Sequence, residues 1–452
     1  MDKPIEKNEH YELTIIDMGS KGEGIGKIND FTVFIPRAVT GDVVEVRIVK
    51  VKKSFGYGKL VKLITPSPFR AKPICEVADT CGGCQLQHLT YQAQLDWKTK
   101  KVKDCLNRIG GLKEIEVLPT LGMEDPFHYR NKAQYPIRKI NQKVQTGFFA
   151  PRSHQLIPIE NCYIQNPKKE AIMKAVLAFL EEHHISIYDE EKHTGLVRHL
   201  MIKTGYHTDE IMVCLVINGQ KLPHSEAFVE AIKAVAPVTS IVLNHHLEKS
   251  NTILGDRCTV LAGEETIIDH IGNLKFKISP LSFFQVNPEQ TEVLYSKALE
   301  YAELTGNEIV WDAYCGIGSI SLFLAQKAKK VYGVEIVPEA IENAKENAAL
   351  NHITNAEFFT GKAEEVIPHM YEQGIVADTI VVDPPRKGCD HKLLETLIKM
   401  APNKIVYVSC DPATLARDLA YLVAEGYQVE KVQPVDMFPQ TTHVETVVKL
   451  SR

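Results

Sequence analysis

The sequence predicts an α/β protein: a twisted, mostly parallel sheet with helices on both faces, preceded by a small OB-like β-barrel and a mixed α+β middle region. Three patterns predict it. Residues 8–66 alternate apolar and polar positions between glycine-bearing turns, the period-two signature of short strands. From residue 306 onward, short apolar runs alternate regularly with helical patterns, as in a doubly wound sheet. Between these lie a compact cysteine group and segments of both periods. The 452 residues are 44 % hydrophobic and 24 % charged, which suits soluble globular domains. No run of about 18 uncharged apolar residues is present, and the opening MDKPIEKNEHYEL has no apolar stretch of the secretory kind. A cytoplasmic protein without membrane contact is expected, as is a monomer, since no obligate protein partner is evident. Ten cysteines in such a chain point to metal or catalytic use rather than a disulfide scaffold.

The barrel comes first. Its sequence, YELTIIDMGSKGEGIGKINDFTVFIPRAVTGDVVEVRIVKVKKSFGYGKLVKLI, reads as about five strands, ended by Pro66 and Pro68. The net charge is -5, yet residues 1–75 carry 13 basic against 9 acidic side chains, and residues 91–145 carry 11 against 6. The acidic balance therefore lies further along the chain. Residues 46–72 hold eight Lys or Arg and no Asp or Glu. Arg47, Lys50, Lys52, Lys53, Lys59 and Lys62 stand there beside Phe55 and Tyr57, a pattern that suits a nucleic-acid backbone and unstacked bases. A solvated edge hairpin guarded by lysines would look the same.

The middle region starts with Cys75, Cys81 and Cys84, with Cys162 further on. A helix follows in YQAQLDWKTKKVKDCLNRIGG, where Leu95, Val102, Leu106 and Ile109 recur at roughly helical spacing before two glycines. KKEAIMKAVLAFLEEH reads as a second helix and IMVCLVI as a buried strand. The expected units are 1–68, a barrel; 69–280, a mixed region with the cysteine group; and 281–452, the doubly wound domain. Four thiolates suit either zinc or an iron–sulfur cluster, and spacing does not choose between them.

In the last unit the strands read EIVWDAY, KVYGVEI, AEFFTG, DTIVVD, KIVYVSC, YQVEKVQPVD and HVETVVKL. The first ends in Asp312-Ala-Tyr-Cys-Gly316-Ile-Gly318-Ser319, a glycine turn at a helix start. Glu335 ends the second strand, where a carboxylate can accept from both ribose hydroxyls of an adenosine ligand. Ser321 stands where a third glycine would complete a pyrophosphate loop, so an adenosine-type ligand without pyrophosphate is expected. The fourth strand runs into Asp383-Pro384-Pro385-Arg386, a rigid wall able to orient a flat base. An aromatic after the prolines would suit an exocyclic amine; Arg386 argues against that. Cys410 closes the fifth strand beside a helix start, a position that favours the reactive thiolate. Glu445, which begins the last strand, is the best candidate base. Each residue has a plainer reading: a tight turn, a helix cap, or, for Cys410, a buried structural thiol.

Together SFFQVN, DAYCGIGS, VDPPRKG, VSCDPATLARD and THVE closely resemble the RNA uracil-5-methyltransferase family that modifies tRNA and 23S rRNA. The resemblance covers essentially the whole chain, and the motifs fall in the family's order. It implies a Rossmann-like class I methyltransferase domain over 281–452 and an N-terminal TRAM barrel. It also implies S-adenosylmethionine held by Gln285, Tyr314, Glu335 and Asp383, with Cys410 attacking carbon 6 of uracil and Glu445 removing the carbon-5 proton. The rRNA-acting branch carries this cysteine pattern, so Cys75, Cys81, Cys84 and Cys162 are expected to hold a 4Fe-4S cluster. Asp411 departs from a frequent Asn and Gln440 from a frequent His; neither removes a group the chemistry needs. The expected activity is methylation of uridine in 23S rRNA, at one site or two. The alternatives are a tRNA T-loop uracil methyltransferase, against which the barrel and cysteine group count, and a non-catalytic RNA-binding ribosome-assembly factor, which would need neither Cys410 nor Glu445.

Overall fold

A computed structural model describes residues 4–452; residues 1–3 of the expected barrel unit lie outside the described residues. Strands β1 (His10–Met18), β2 (Gly24–Ile28), β3 (Phe31–Ile35), β4 (Val43–Val51) and β5 (Phe55–Thr65) close into a barrel in the order β1-β2-β3-β5-β4. Their alternation places Leu13, Ile15, Val33, Ile35, Val44, Val46 and Ile48 inside. Closure removes free sheet edges. The buried Asp42 accepts from Arg70 Nε and Nη2, both at 2.8 Å, and pins the barrel to the chain that leaves it.

Helix α1 (Tyr91–Arg108) is capped by Thr90, whose side chain accepts from the Ala93 N–H. Its buried face differs from the apolar pattern read in the sequence. Gln94 and Lys98 are buried alongside Ala93, Trp97, Val102 and Leu106, while Ile109 is exposed. The reason is polar satisfaction. Lys98 pairs with the buried Asp436, and Gln94 pairs with Gln440, so neither side chain is buried unpaired.

The middle sheet contains β6 (Lys132–Ile140), β7 (Lys143–Phe149), β8 (Leu156–Pro158), β9 (Val197–Thr204), β10 (Ile211–Ile217), β11 (Ser240–His245) and β12 (Arg257–Gly263), in the order β12-β11-β10-β9-β6-β7-β8. Only β10 and β11 pair in parallel. Helices α2 (Lys169–Glu182) and α3 (Ser225–Lys233) cover it through Ile172, Val176, Phe179 and Phe228. A hairpin follows, β13 (Ile267–Ile271) and β14 (Leu274–Ile278).

The last sheet is built from β15 (Ile309–Asp312), β16 (Lys330–Glu335), β17 (Ala356–Thr360), β18 (Thr379–Val382), β19 (Lys404–Ser409), β20 (Gln428–Val435) and β21 (Glu445–Ser451). Its order is β17-β16-β15-β18-β19-β21-β20, parallel except for β21, which is antiparallel to both neighbours. All seven strands read from the sequence are present. Helices α4 (Pro288–Ala302), α5 (Ser319–Ala325), α6 (Pro338–Leu350), α7 (Ala363–Glu372), α8 (His391–Met400) and α9 (Pro412–Ala424) flank it. The order reverses at β15, which opens a crevice at the carboxyl ends of β15 and β18.

Packing divides the chain differently from 1–68, 69–280 and 281–452. Val102 and Leu106 of α1 join the core on one face of the last sheet, and the β13–β14 hairpin joins the core on the other. Val117 and Leu121 bridge to Val432 and Val435 in parallel and cover the exposed edge of β20. The body built on the last sheet is therefore discontinuous, with the middle sheet inserted into it. Among the described residues no helix is long and apolar enough to cross a membrane.

Candidate active site

The β15–α5 turn forms first. Gly316 and Gly318 adopt φ of +53° and +81°, a left-handed backbone that favours glycine. A Cβ on Gly318 would come within 3.1 Å of Ala344 and Phe358, whereas one on Gly316 would meet nothing within 4 Å. Gly316 N–H donates to Glu335 Oε2 at 3.2 Å, and Val337 N–H donates to Oε1 at 3.0 Å. Glu335 thus fastens the glycine turn to the end of β16 and the start of α6, the plainer of the two roles its position allows. Beside it Ile336 and Val337 leave apolar side chains exposed.

Asp312 is fully buried and accepts from Ser321 Oγ at 2.6 Å, while its Oδ1 has no partner. Burial pushes its carboxyl up to about 6. Asp383, at the end of β18, is pushed up to about 7 by burial and then by the charge of Asp312. Tyr295 of α4 reaches the same place: its hydroxyl lies 2.8 Å from Ser319 Oγ and also engages Gln285. Gln285 is held by its own carbonyl, which accepts from Asn131 Nδ2 at 3.0 Å. Tyr314 is half-buried, with its hydroxyl at the Cys389–Asp390 turn. Tyr295 therefore links Gln285 to the Ser319 end of the glycine turn near Asp383, Glu335 fastens that turn, and Tyr314 stands toward Cys389. Sequence reasoning missed Tyr295, which sits in an amphipathic helix and looks like an ordinary core aromatic.

Cys410 and Glu445 meet at the neighbouring edge because β19 and β21 are hydrogen-bonded partners, with Ser409 opposite Thr446. Burial pushes Glu445 up to about 8, helped by Asp383 and opposed by Arg386. The Cys410 thiol is pushed up to about 12 by burial and then by the charges of Glu445 and Asp383, with Arg386 again opposing. Burial and these carboxyl groups oppose the thiolate that the start of α9 would favour. Asp411 caps α9 with its own carboxylate, which accepts from the N–H groups of Ala413 at 2.8 Å and Thr414 at 3.2 Å. The helix end is already answered by an anion, and further carboxylates surround the sulfur. Glu445, Asp383 and Asp411 thus gather around the Cys410 sulfur, with Arg386 as the opposing cation.

Cys75, Cys81, Cys84 and Cys162 line one cavity of about 290 Å³, together with Gln87, Arg130, Lys132 and Gln134. Burial and the neighbouring thiols push Cys84 up to about 12; Cys162 rises to about 11 through burial and the charges of Cys81 and Cys75, opposed by the Ile164 and Gln165 N–H groups. Gly82 N–H donates to the Phe149 carbonyl at 2.9 Å, and a Cβ on Gly82 would lie 2.8 Å from that oxygen. Yet among the described residues no three His, Cys, Asp or Glu side chains are grouped so as to hold a single metal ion. The fold brings the four thiols singled out in the sequence to one cavity, but the metal expectation gains no direct support from their spacing.

On the barrel, Arg47, Lys50, Lys52, Lys53, Lys59 and Lys62 are exposed, and none forms an ion pair among the described residues. Phe55 packs edge-on against Phe34 and Tyr57, both with ring centroids 5.5 Å away.

A sheet of this order with its last strand reversed, a glycine turn fastened by an acidic residue, and an RNA-binding type of barrel define a class I methyltransferase with an appended nucleic-acid module. The chain belongs to the tRNA (uracil-5-)-methyltransferase family, whose model matches residues 90–452, and a TRAM domain model matches residues 4–61. A relative from Clostridium tetani, described as an uncharacterized RNA methyltransferase, is 55 % identical over 100 % of this chain and 98 % of its own. One from Bacillus cereus with the same description is 53 % identical with the same coverage. Among solved structures, Pyrococcus abyssi tRNA (uracil-54, C5)-methyltransferase in complex with S-adenosyl-L-homocysteine is similar with a TM-score of 0.78 and 30 % identity, covering 97 % of this chain and 99 % of that one.

Proposed function

We propose that this protein transfers a methyl group from S-adenosylmethionine to carbon 5 of a uridine in 23S rRNA through a covalent Cys410–carbon 6 adduct. The observation that carries the reading is the meeting of Cys410, Glu445 and Asp383 at one sheet edge beside the Gly316–Glu335 crevice. Gln285, Tyr314, Glu335 and Asp383 hold the methyl donor, and Ile336 and Val337 give an apolar face for adenine. The donor's sulfonium answers the carboxyl-rich pocket and offsets the charges that keep the Cys410 thiol protonated. The Cys410 thiol gives its proton to solvent and the thiolate adds to carbon 6, carbon 5 takes the methyl as the sulfonium donor leaves as a neutral thioether, and Glu445 removes the carbon-5 proton. The electron pair of that C–H bond re-forms the ring double bond and expels the thiolate.

Purified enzyme given labelled donor should methylate uridine in rRNA or tRNA from cells lacking this gene, and mapping 5-methyluridine in each identifies the target. The second reading, a tRNA uridine, is favoured by one observation. The Pyrococcus abyssi tRNA enzyme covers 97 % of this chain, so the full-length architecture with its barrel is not particular to rRNA enzymes.

The pH dependence follows from Glu445. Its carboxyl holds its proton up to about 8, so the base form appears only above that value. The rate of carbon-5 proton release should therefore rise toward pH 8, and in Glu445→Gln, which stalls at the adduct, that release should be lost across the whole range. The sign for stability is opposite: between the ordinary carboxyl value and about 8 the folded chain binds the proton more tightly than the unfolded chain, so rising pH lowers stability there.

We further propose that Cys75, Cys81, Cys84 and Cys162 hold a 4Fe-4S cluster. Zinc needs all four sulfurs at about 2.3 Å, whereas these thiols stand around a cavity, which suits a polynuclear body between them; Arg130 and Lys132 in its lining offset the charge of four thiolates. The cluster supplies structural support here, because methyl transfer moves no net electrons. Anaerobically purified protein should contain about four irons per chain; stoichiometric zinc without iron refutes the assignment.

The barrel cations supply the phosphate contacts. Replacing Lys50, Lys52 and Lys53 should weaken RNA binding and lower the log–log salt slope by about 0.7–0.9 for each phosphate no longer neutralised. An unchanged slope would leave the stretch a solvated edge.

A further inference from the structure

The loop that carries the proposed base, residues 436–444, is held chiefly from outside its own sheet. Gln440 sits at its centre with φ of +69°, a backbone state that a non-glycine residue keeps only when its surroundings enforce it. Gln94 supplies a two-sided amide clamp: Gln94 Nε2 donates to Gln440 Oε1 and Gln440 N–H donates to Gln94 Oε1, both at 3.0 Å. The Gln440 carbonyl accepts the N–H groups of Gln85 at 3.0 Å and Leu86 at 2.9 Å, the two residues that follow Cys84. A second tie runs through Tyr129. Its ring packs with Cys84 and Cys162, and its hydroxyl donates to the Pro439 carbonyl at 3.0 Å. Lys101 Nζ donates to the Thr442 carbonyl at 2.7 Å, nearer still to Glu445. Two separate ties thus join the four-cysteine cavity to the segment that aims Glu445.

We propose that Gln94, Gln440 and Tyr129 are positioning residues for Glu445, and that the cysteine loop supports the proton-removal step rather than the addition or methyl-transfer steps. The inference rests on Glu445 acting as the base. In the step concerned, the carbon-5 proton passes to the Glu445 carboxylate, the C5–H electron pair re-forms the carbon 5–carbon 6 double bond, and the bond to Cys410 sulfur breaks. Displacing Glu445 slows this step most, because Cys410 sits at the end of β19 and the donor site at the ends of β15 and β18, outside the 436–444 loop.

The test uses the full-length protein and RNA tritiated at carbon 5 of uridine. Tyr129→Phe removes one hydrogen bond at nearly constant shape, and Gln94→Met removes the clamp. In each, tritium release should slow about three- to tenfold, the equivalent of one hydrogen bond. The first-turnover methyl-transfer rate should stay unchanged, and the covalent protein–RNA adduct should accumulate. Tyr129→Phe keeps the test decisive should Gln94→Met fold poorly. Glu445→Gln is measured alongside. If it traps the adduct while both other variants release tritium at the normal rate, or lose methyl transfer and release in parallel, the positioning role is overturned and the base assignment stands. If Glu445→Gln itself turns over normally, the base assignment falls and the positioning role with it.

Discussion

In Glu445→Gln, normal RNA should build up on the protein as a covalent adduct through Cys410 instead of leaving as product. Gln keeps the volume and hydrogen-bonding shape of the side chain but cannot take a proton. Addition of the thiolate and methyl transfer need no proton from carbon 5, so they proceed; elimination stalls. The adduct should survive denaturing electrophoresis. Cys410→Ala should do the reverse: no adduct, no methylation, and donor binding nearly intact, because the sulfur meets uracil rather than the sulfonium. RNA containing 5-fluorouracil should trap the unmutated enzyme in the same way, since fluorine cannot leave carbon 5 as a cation. His443, exposed in the same loop, is the other nearby base; normal turnover by Glu445→Gln would transfer the role to it. An adduct that persists in Cys410→Ala, or fluorinated RNA that gives none with active enzyme, would rule out covalent catalysis through this residue.

The largest stability effect is expected at the ion pair between Lys98 and Asp436. Both side chains are fully buried. Asp436 also accepts from Tyr91 at 2.9 Å, and Lys98 Nζ donates to the Phe438 carbonyl at 3.1 Å. Lys98→Met leaves a carboxylate buried without its cation, a change that costs about 3–5 kcal/mol. The denaturant midpoint should fall sharply. Lys98→Met combined with Asp436→Asn should recover much of that stability, because the uncompensated charge is gone while the Tyr91 hydroxyl still has a partner. A double variant no better than the single one would show that packing, not charge, dominates at this site.

Some of this was legible in the sequence and some was not, for physical reasons. Strict alternation over 8–66 and the regular strand–helix rhythm after 306 are local patterns, so the barrel and all seven strands of the last sheet could be read. The position of Glu335 at the end of β16, facing the glycine turn, was legible from strand and turn lengths. The face of α1 was not. Gln94 and Lys98 look solvent-facing until Gln440 and Asp436, more than 300 residues away, provide their partners. The same distance hid the discontinuity of the methyltransferase body, because nothing local to residues 117–121 reveals that they cover the edge of β20. The surroundings of Cys410 were illegible for another reason. The helix start was recognised, but the adjacent Asp411 already answers it, and the carboxyl groups that gather around the sulfur come from three separate strands' ends.

The barrel's seat has a consequence for substrate choice. Its β1–β2 turn places Gly22 where an added Cβ would meet Leu86 at 2.8 Å and Thr442 at 3.1 Å, and Met18 and Val39 pack with Leu86, Leu89 and Trp97. Arg70 locks the exit from the barrel onto Asp42. Held at several points in this way, the barrel cannot trail behind the catalytic body on a loose leash. The interval between its exposed lysines and Cys410 acts as a fixed ruler. If the lysines take phosphates as proposed, a short oligonucleotide carrying the right base should bind more weakly than an RNA long enough to reach the barrel as well.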